Sequence, residues 1–532
     1  MAMKPQTAVL VGPSLQGNLA LEYLGASVEA AGHRAQLVSF DAREQAASCA
    51  KSIAALAPDL VGLSVAFQCG VDDHLELLRL LRGEGYRGHV TCGGHVPTFC
   101  YRELLAEAPG LDSAVRHEGE RTLVELLDAL GRGETPRGIP GLVWRERDGI
   151  AAGPPRRLLE DLDSLPHPLR RSKPLVVGGA PIAVMLASRG CIGECSYCCL
   201  RAFGADAGGK RFRMRSPEAV ADEVASAYHE LGVRVIILQD DLFILPSERK
   251  SVDRMRAITR AMESRGVGKM LFWIKGRPET ITKAVAEAAR EMGAIHTFLG
   301  VENAAVERLR YLGRTHTRAD NERAIRTLLD FGIRSSYNIM LFDPDCTIEE
   351  ISENIDFAAE HLDQTWNVCR TEVYPGTPLL DRLGEEGRLD GDWRAYGYTM
   401  RDPRAELMFR VLRVCFDKRA FTNESLLNRL INLSFTRHVH EALLPGAATS
   451  ATSARVDALI RDVYRDTVSE LRRAAEFAAR TSPSDIAKCQ DFAIETAMAI
   501  NERDHAWHTQ VDEVGFLLDA RGAKIRETGL SR

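Results

Sequence analysis

The sequence predicts an α/β chain with three parts in order: a doubly wound parallel sheet, a partial (β/α) barrel and a helical carboxy-terminal region. Three observations carry that prediction. Over the first 130 residues, short apolar runs alternate with helix-like stretches. The alternation stops in a segment rich in proline, glycine and charge and resumes at Pro181. Beyond about residue 400, apolar residues recur at spacings of three and four. The expected boundaries are 1–145 for the first part, 146–180 for a linker, 181–395 for the barrel and 396–532 for the helices.

Composition narrows the function classes. Hydrophobic residues make up 45% and charged residues 27%, the balance of a chain that buries a core. A net charge of -6 argues against a general nucleic-acid binder. The start Met1-Ala2-Met3-Lys4-Pro5-Gln6 lacks the apolar core of a secretion signal, and no apolar run approaches the ~20 residues that span a bilayer. The 12 scattered cysteines then read as reduced thiols, and a cytoplasmic location is expected.

In the first part the strand candidates are Thr7–Gly12, Arg34–Phe40, Asp59–Ala66, His89–Cys92 and Ser113–Arg116. Ligands of such sheets sit beyond the carboxyl ends of the strands. There the chain places Ser14, Leu15, Gln16 and Gly17 after the first strand, Ser64 and Val65 at the third, and Gly93-Gly94 at the fourth. His117-Glu118-Gly119-Glu120-Arg121-Thr122 closes this part and opens a helix over Leu123–Leu130, with Thr122 near its cap.

The barrel part opens on Pro181–Ala187 and runs into Ser188-Arg189-Gly190-Cys191-Ile192-Gly193-Glu194-Cys195-Ser196-Tyr197-Cys198. Three cysteines in C-x3-C-x2-C spacing on one loop can ligate three irons of a [4Fe–4S] cube and leave the fourth iron open to a small chelator. The rival readings are a structural zinc loop, which lacks a second ligand pair here, and plain buried thiols.

Further candidates fall at later strand ends, where catalytic groups of such barrels gather. Strand Val233–Leu238 leads into Gln239-Asp240-Asp241, an acid pair able to accept from an ammonium group. Met270–Ile274 leads to Arg277, a carboxylate partner or a surface ion pair. Ile295–Gly300 leads to Glu302-Asn303, Ser336–Leu341 to Phe342-Asp343, and Asn367–Val373 to Tyr374-Pro375-Gly376-Thr377-Pro378-Leu379. Helices are expected over Arg404–Lys418, Asn423–Ala442, Thr452–Ala479 and Pro483–Leu518, and they read as a cap over the site. His438 and His440, two apart on one helix, diverge and make a poor metal pair.

The cysteine spacing, with the aromatic Tyr197 before the last cysteine, resembles the signature of the radical SAM enzymes. The Asp-Asp-Leu-Phe, Gly-Val-Glu-Asn and Pro-Gly-Thr-Pro-Leu segments follow in that family's order. The first part resembles the cobalamin-binding (Rossmann-like) domain, whose pattern is D-x-H-x-x-G, then S-x-L, then G-G. Gly17, Ser64 and Gly93-Gly94 match, whereas Gly12 and Ser14 stand where the aspartate and the cobalt-ligating histidine would be. The phrase His117-Glu118-Gly119-Glu120 also fits this branch.

The combined resemblance, over about residues 7–380, is to cobalamin-dependent radical SAM enzymes of the methyltransferase type. It implies a [4Fe–4S] cluster on Cys191, Cys195 and Cys198. It implies S-adenosylmethionine near Tyr197, Gln239, Asp240, Asp241, Arg277, Glu302 and Asn303. It also implies cobalamin near Ser14, Leu15, Gln16, Gly17, Ser64, Val65, Gly93, Gly94, His117 and Glu118. The implied reaction is methylation of an unactivated carbon through a 5′-deoxyadenosyl radical. A small natural-product intermediate is the expected substrate and a flavodoxin or ferredoxin the electron donor, with no nucleic-acid or membrane partner. Non-methylating radical chemistry in the same branch and a cobalamin- or redox-sensing module are the other readings.

Overall fold

The computed structural model describes residues 4–14, 17–146, 149–171, 173–444 and 447–527, without the side chains of 447–449 and 521–527. The chain folds into two compact bodies. The first takes the chain up to Lys173 together with Ser188–Ser216 and Glu372–Gly397; the second takes Pro174–Ala187, Pro217–Thr371 and the chain from Tyr398. The cysteine loop and the Pro-Gly-Thr-Pro-Leu turn, expected within the barrel segment, thus cluster with the first sheet.

The first body is a seven-stranded sheet: β1 (Thr7–Gly12), β2 (Arg34–Ser39), β3 (Leu60–Ser64), β4 (His89–Gly93), β5 (Ser113–Val115), β6 (Leu142–Glu146) and β7 (Gly149–Ala152). The order is β2-β1-β3-β4-β5-β6-β7. The first five strands pair parallel; β6 and β7 add antiparallel, β6 at the end of the expected first part and β7 inside the stretch expected as linker. Strands this apolar form because both faces are covered. Val9, Val11 and Leu63 pack on one side with Ile53 and Leu77, and Ala8 and Leu10 on the other with Leu21 and Leu126. The chain order reverses between β1 and β3, where a doubly wound sheet opens a crevice beyond its strand ends.

The second body holds β8 (Leu175–Val177), β9 (Ala180–Met185), β10 (Val235–Leu238), β11 (Leu271–Gly276), β12 (Ala294–Leu299), β13 (Arg334–Phe342) and β14 (Thr365–Arg370). Six strands, β9 to β14, run parallel and in sequence order, with β8 antiparallel on β9. The sheet keeps two edges, so it is a partial barrel.

The carboxy-terminal helices are Pro403–Cys415, Leu426–Leu443, Ala447–Arg480 and Ile486–Glu527. Their expected role as a cap is corrected for Leu426–Leu443. Its Phe435 and Val439 pack with Ala180, Ile182, Val235, Leu271 and Ile295, in the amino-terminal halves of the strands. His440 Nε2 meets the Gly178 carbonyl at 2.7 Å, ahead of β9. This helix is the floor of the partial barrel, at the end away from the site residues. His438 and His440 are both buried in that floor, and no helix is long and apolar enough to cross a membrane among the described residues.

Candidate active site

The cysteine loop is a closed excursion of the chain. Ser188–Arg189 pairs antiparallel with Arg213–Met214, so the two ends of the loop meet in a short ribbon. Gly190 stands between ribbon and first cysteine with φ +81°, and a Cβ there would lie 1.9 Å from the Arg211 carbonyl oxygen. Only glycine tolerates that approach. Cys195 is buried, Cys191 and Cys198 are half-buried, and all three are outside disulfides. The Gly193 amide donates to Cys191 Sγ at 3.3 Å, and the short helix Leu200–Ala207 follows the last cysteine. Half-buried Tyr197 lies between Ser196 and Cys198. Among the described residues no three His, Cys, Asp or Glu side chains are gathered tightly enough to hold a metal ion, these cysteines included. The loop offers three thiol donors within eight residues of chain.

The first sheet holds this loop from its carboxyl edge. Glu118 Oε1 accepts from Arg213 Nη1 at 2.8 Å, and Arg189 Nη1 lies 3.4 Å away. Glu120 Oε1 lies 2.7 Å from Arg189 Nη2. Burial pushes the Glu120 carboxyl up, but the charge and hydrogen bond of Arg189 outweigh it and leave it below the usual carboxylate range. Asp206, on the helix after the cysteines, accepts from Arg116 and meets His117 Nε2 at 2.8 Å. The Phe203 ring of the same helix lies tilted at 5.2 Å from His95 and edge-on at 4.9 Å from His117. The Leu379 amide donates to the Ser196 carbonyl at 2.9 Å, so the Pro-Gly-Thr-Pro-Leu turn braces the middle of the loop. Thr377 caps that turn's helix, Pro378–Glu385.

At the edge of β1, β3 and β4 the backbone leaves little space for side chains. A Cβ on Gly12 would meet Ser64 Cβ at 2.9 Å. Gly94 has φ +123°, and its Cβ would lie 2.5 Å from the Val65 carbonyl oxygen. Ser64 pairs with Gly93, and the Val65 amide donates to the Gly93 carbonyl at 2.8 Å. Ser14 is tied through its amide and hydroxyl to Asp41, and Gly17 turns with φ +77° before the Asn18 cap of helix Leu19–Ala30. Leu15 and Gln16 lie outside the described residues.

In the second body the strand ends carry a separate set of polar groups. Asp240 is fully buried and accepts from the Ala187 amide at 3.0 Å, whereas its neighbour Asp241 is exposed. The Gln239 amide donates to the Met185 carbonyl. Lys275 lies on β11 on the same face as Leu271 and Trp273, by the period of two along a strand. Burial lowers its pKa below the ordinary lysine range, and Asp241 and Asp240 draw it only part of the way back. Arg277 Nε donates to Glu279 Oε1 at 2.7 Å, so its charge is already met. Glu302 holds φ +60°, a strained conformation for a residue with a Cβ. Its carbonyl accepts from the Met340 amide at 2.6 Å, and Arg314, bound to the Gly300 carbonyl at 2.7 Å, stands 3.7 Å from its carboxylate. Asn303 is buried, donates to the Met340 carbonyl at 3.0 Å and accepts from Ala305 and Asn354.

Comparisons with known proteins decide what these two groups serve. Residues 7–127 match the B12 binding domain model and residues 185–358 the radical SAM superfamily model. An uncharacterized methyltransferase of Pyrococcus horikoshii is 30% identical over 364 residues, which is 67% of this chain and 76% of that protein. The chain belongs to the cobalamin-dependent radical SAM enzymes. An anaerobic magnesium-protoporphyrin IX monomethyl ester cyclase of Cereibacter sphaeroides is 29% identical over 58% of this chain and 50% of its own length. The hopanoid C-3 methylase of Methylococcus capsulatus is 25% identical over 68% and 67%. Among solved structures, the fold is shared with the methyltransferase TsrM of Kitasatospora setae, with cobalamin and a [4Fe–4S] cluster bound (TM-score 0.59, 22% identity, 72% of this chain and 75% of that one). It is also shared with the cobalamin-dependent enzyme OxsB (TM-score 0.68, 16% identity, 96% and 84%).

The cofactors of this radical SAM enzyme are therefore a [4Fe–4S] cluster, S-adenosylmethionine and cobalamin. The three cysteine thiols suit the cluster in number and chemistry, and a fourth thiolate is not needed. The slot at Gly12, Ser64 and Gly94 suits the cobalamin tail, because a side chain at either glycine would collide with backbone or a neighbouring residue. Two residues expected near cobalamin carry framework contacts here: Arg213, Arg189 and the Leu159 amide meet the Glu118 carboxylate, and Asp206 meets His117 Nε2. Asp240, Arg277 and Asn303 are likewise committed to framework contacts.

Sequence reasoning passed over Lys275, Glu120, Arg189, Arg213 and Asp206. Period-two counting along Leu271, Trp273 and Lys275 could have found the lysine. The ion pairs could not be foreseen, because they join residues up to 95 positions apart. Thr122, expected near a cap, sits inside helix Glu120–Gly131 and bonds the Pro140 carbonyl at 3.0 Å.

Proposed function

We propose that this enzyme transfers a methyl group to an unactivated carbon of a small molecule. The observation that carries the reading is that the cysteine loop belongs to the same compact body as the cobalamin sheet, so this chain keeps the cluster donors and the cobalamin slot in one framework. The methyltransferase and methylase relatives support it, as does TsrM, whose structure was solved with a tryptophan substrate and a SAM analog. When bound, the cofactors supply a 5′-deoxyadenosyl radical and a transferable methyl group.

The residues of the chain position and shield. Cys191, Cys195 and Cys198 would hold three irons of the cluster and leave the fourth to S-adenosylmethionine. Exposed Asp241 would accept from an N–H of the methionyl amino group and Lys275 would donate to its carboxylate, in place of the already paired Arg277. Glu302, held out of the strand by its positive φ, presents its carboxylate to the ribose hydroxyls. Leu15, Gln16 and Gly17 belong to the proposed cobalamin loop. We assign the parts as 1–145 cobalamin domain, 146–180 linker, 181–395 radical SAM barrel and 396–532 helical region, with an external flavodoxin or ferredoxin as the electron source.

A second reading is oxidation or cyclisation without methyl transfer, which the cyclase relative favours. Anaerobic reconstitution with iron, sulfide, cobalamin and a reductant separates the two. S-adenosylhomocysteine and 5′-deoxyadenosine formed together with a product heavier by one methylene unit support methylation. 5′-Deoxyadenosine without S-adenosylhomocysteine supports the cyclase-like reading.

A further inference from the structure

We infer that Glu118 and Glu120 are positioning residues for the iron–sulfur loop, acting through the arginines on the two strands of its closing ribbon. Arg189 stands two residues before the first cysteine and Arg213 closes the opposite strand of that ribbon. A loop of more than twenty residues closed by two backbone pairs loses chain entropy with little return, so side-chain ties at its base are what fix the cysteines in place.

Glu118 meets both arginines, at 2.8 Å and 3.4 Å, and Glu120 meets Arg189 at 2.7 Å. All four side chains are largely withdrawn from water, 4–15% exposed, so these are not the screened surface pairs that contribute little. Two carboxylates face two guanidinium groups, and the charges balance within the cluster. The Leu159 amide fills the other oxygen of Glu118 at 2.8 Å. Breaking one member leaves a buried charge uncompensated, which is where such networks become costly. The inference rests on the cluster assignment and not on which product the enzyme makes.

The test uses the reconstituted full-length enzyme and reads the cluster and cobalamin separately. In Glu118→Gln, chelator extraction of iron is expected to speed up roughly tenfold, with a changed electron paramagnetic resonance signature of the reduced cluster. Affinity for cobalamin should stay within about twofold. Glu118→Asp, which keeps the charge, should fall between wild type and Glu118→Gln. In a double-mutant cycle, Arg213→Gln should reproduce the Glu118→Gln effect, and the double variant should add little to either. An unchanged cluster in Glu118→Gln, or a loss of cobalamin affinity with the cluster intact, overturns the inference. If Glu118→Gln is not recovered folded, Glu120→Gln carries the same test through Arg189 alone, with the same outcomes deciding it.

Discussion

Asp240, at the end of β10, accepts the backbone N–H of Ala187 at 3.0 Å, just where β9 gives way to the cysteine loop. Its carboxylate is fully buried, and the adjacent Asp241 is exposed. Two neighbouring acids therefore divide the work. Asp240→Ala strands a buried amide and should cost about 1–3 kcal/mol of stability. Asp241→Asn should leave the unfolding midpoint unchanged and weaken S-adenosylmethionine binding about tenfold. Thermal unfolding and anaerobic calorimetry on the two variants check both halves.

Lys275 makes the second case. It has a lowered pKa because burial disfavours its charge, with Asp241 and Asp240 only partly compensating. The proton it needs to bind a carboxylate is lost as pH rises through that lowered value, so affinity for S-adenosylmethionine should decline at a lower pH than an ordinary lysine would give. Lys275→Met should bind about tenfold more weakly near neutrality and show a flat profile there. Dissociation constants measured from pH 7 to pH 10 distinguish the two; a wild-type profile that matches the Met variant removes Lys275 from the site.

The parallel strands of both sheets were legible because apolar runs with β-branched residues have few alternatives to buried parallel strands. Thr7–Gly12 appears as expected, and the other strand ends lie within three residues of their expected places. The strand-end motifs also emerge where barrel logic puts them. What the sequence could not show is division of labour among adjacent polar residues. Asp240 and Asp241 differ only in burial and partners, and Arg277 is set apart from Lys275 by its ion pair with Glu279, all of which tertiary packing decides. The hairpin of β6 and β7 was missed because it straddles the start of the stretch read as a linker for its proline, glycine and charge. The floor role of helix Leu426–Leu443 was hidden for a related reason, since an amphipathic pattern reveals an apolar face but not its partner.

Gly94 gives a prediction for cobalamin. Its φ of +123° is open to glycine, and an added Cβ would press on the Val65 carbonyl at 2.5 Å. Gly94→Ala must move the ends of β3 and β4 apart, a change of about 1–3 kcal/mol concentrated at the slot. Cobalamin affinity should fall tenfold or more while the iron content of the reconstituted protein stays unchanged. Visible absorption titration with hydroxocobalamin, alongside iron counting, checks it. Equal loss of both would mean that the first body had unfolded instead.

The floor of the barrel supplies an acid-stability prediction. His296 is fully buried on β12, with Nε2 2.9 Å from Ser336 Oγ and its ring 5.9 Å from His438. Burial, with Arg437 and Arg334 nearby, pushes His296 down to about 3, and His438 is likewise held far below its ordinary value. Above the unfolded value near 6.5 both rings are neutral in either state and titrate nothing. Below it the unfolded chain takes up protons that the folded chain refuses, so stability is lost as pH falls from about 6.5 toward 3. Each histidine contributes a slope approaching 1.4 kcal/mol per pH unit across that window. Urea midpoints at pH 7.5, 6 and 5 should fall in that order. His296→Gln, which keeps a hydrogen-bonding group for Ser336 without a titrating ring, should lower the slope by about half of the pair's share. A wild-type midpoint that holds steady between pH 6 and pH 5 would mean that these rings accept protons where they are, and the buried-neutral assignment would fail.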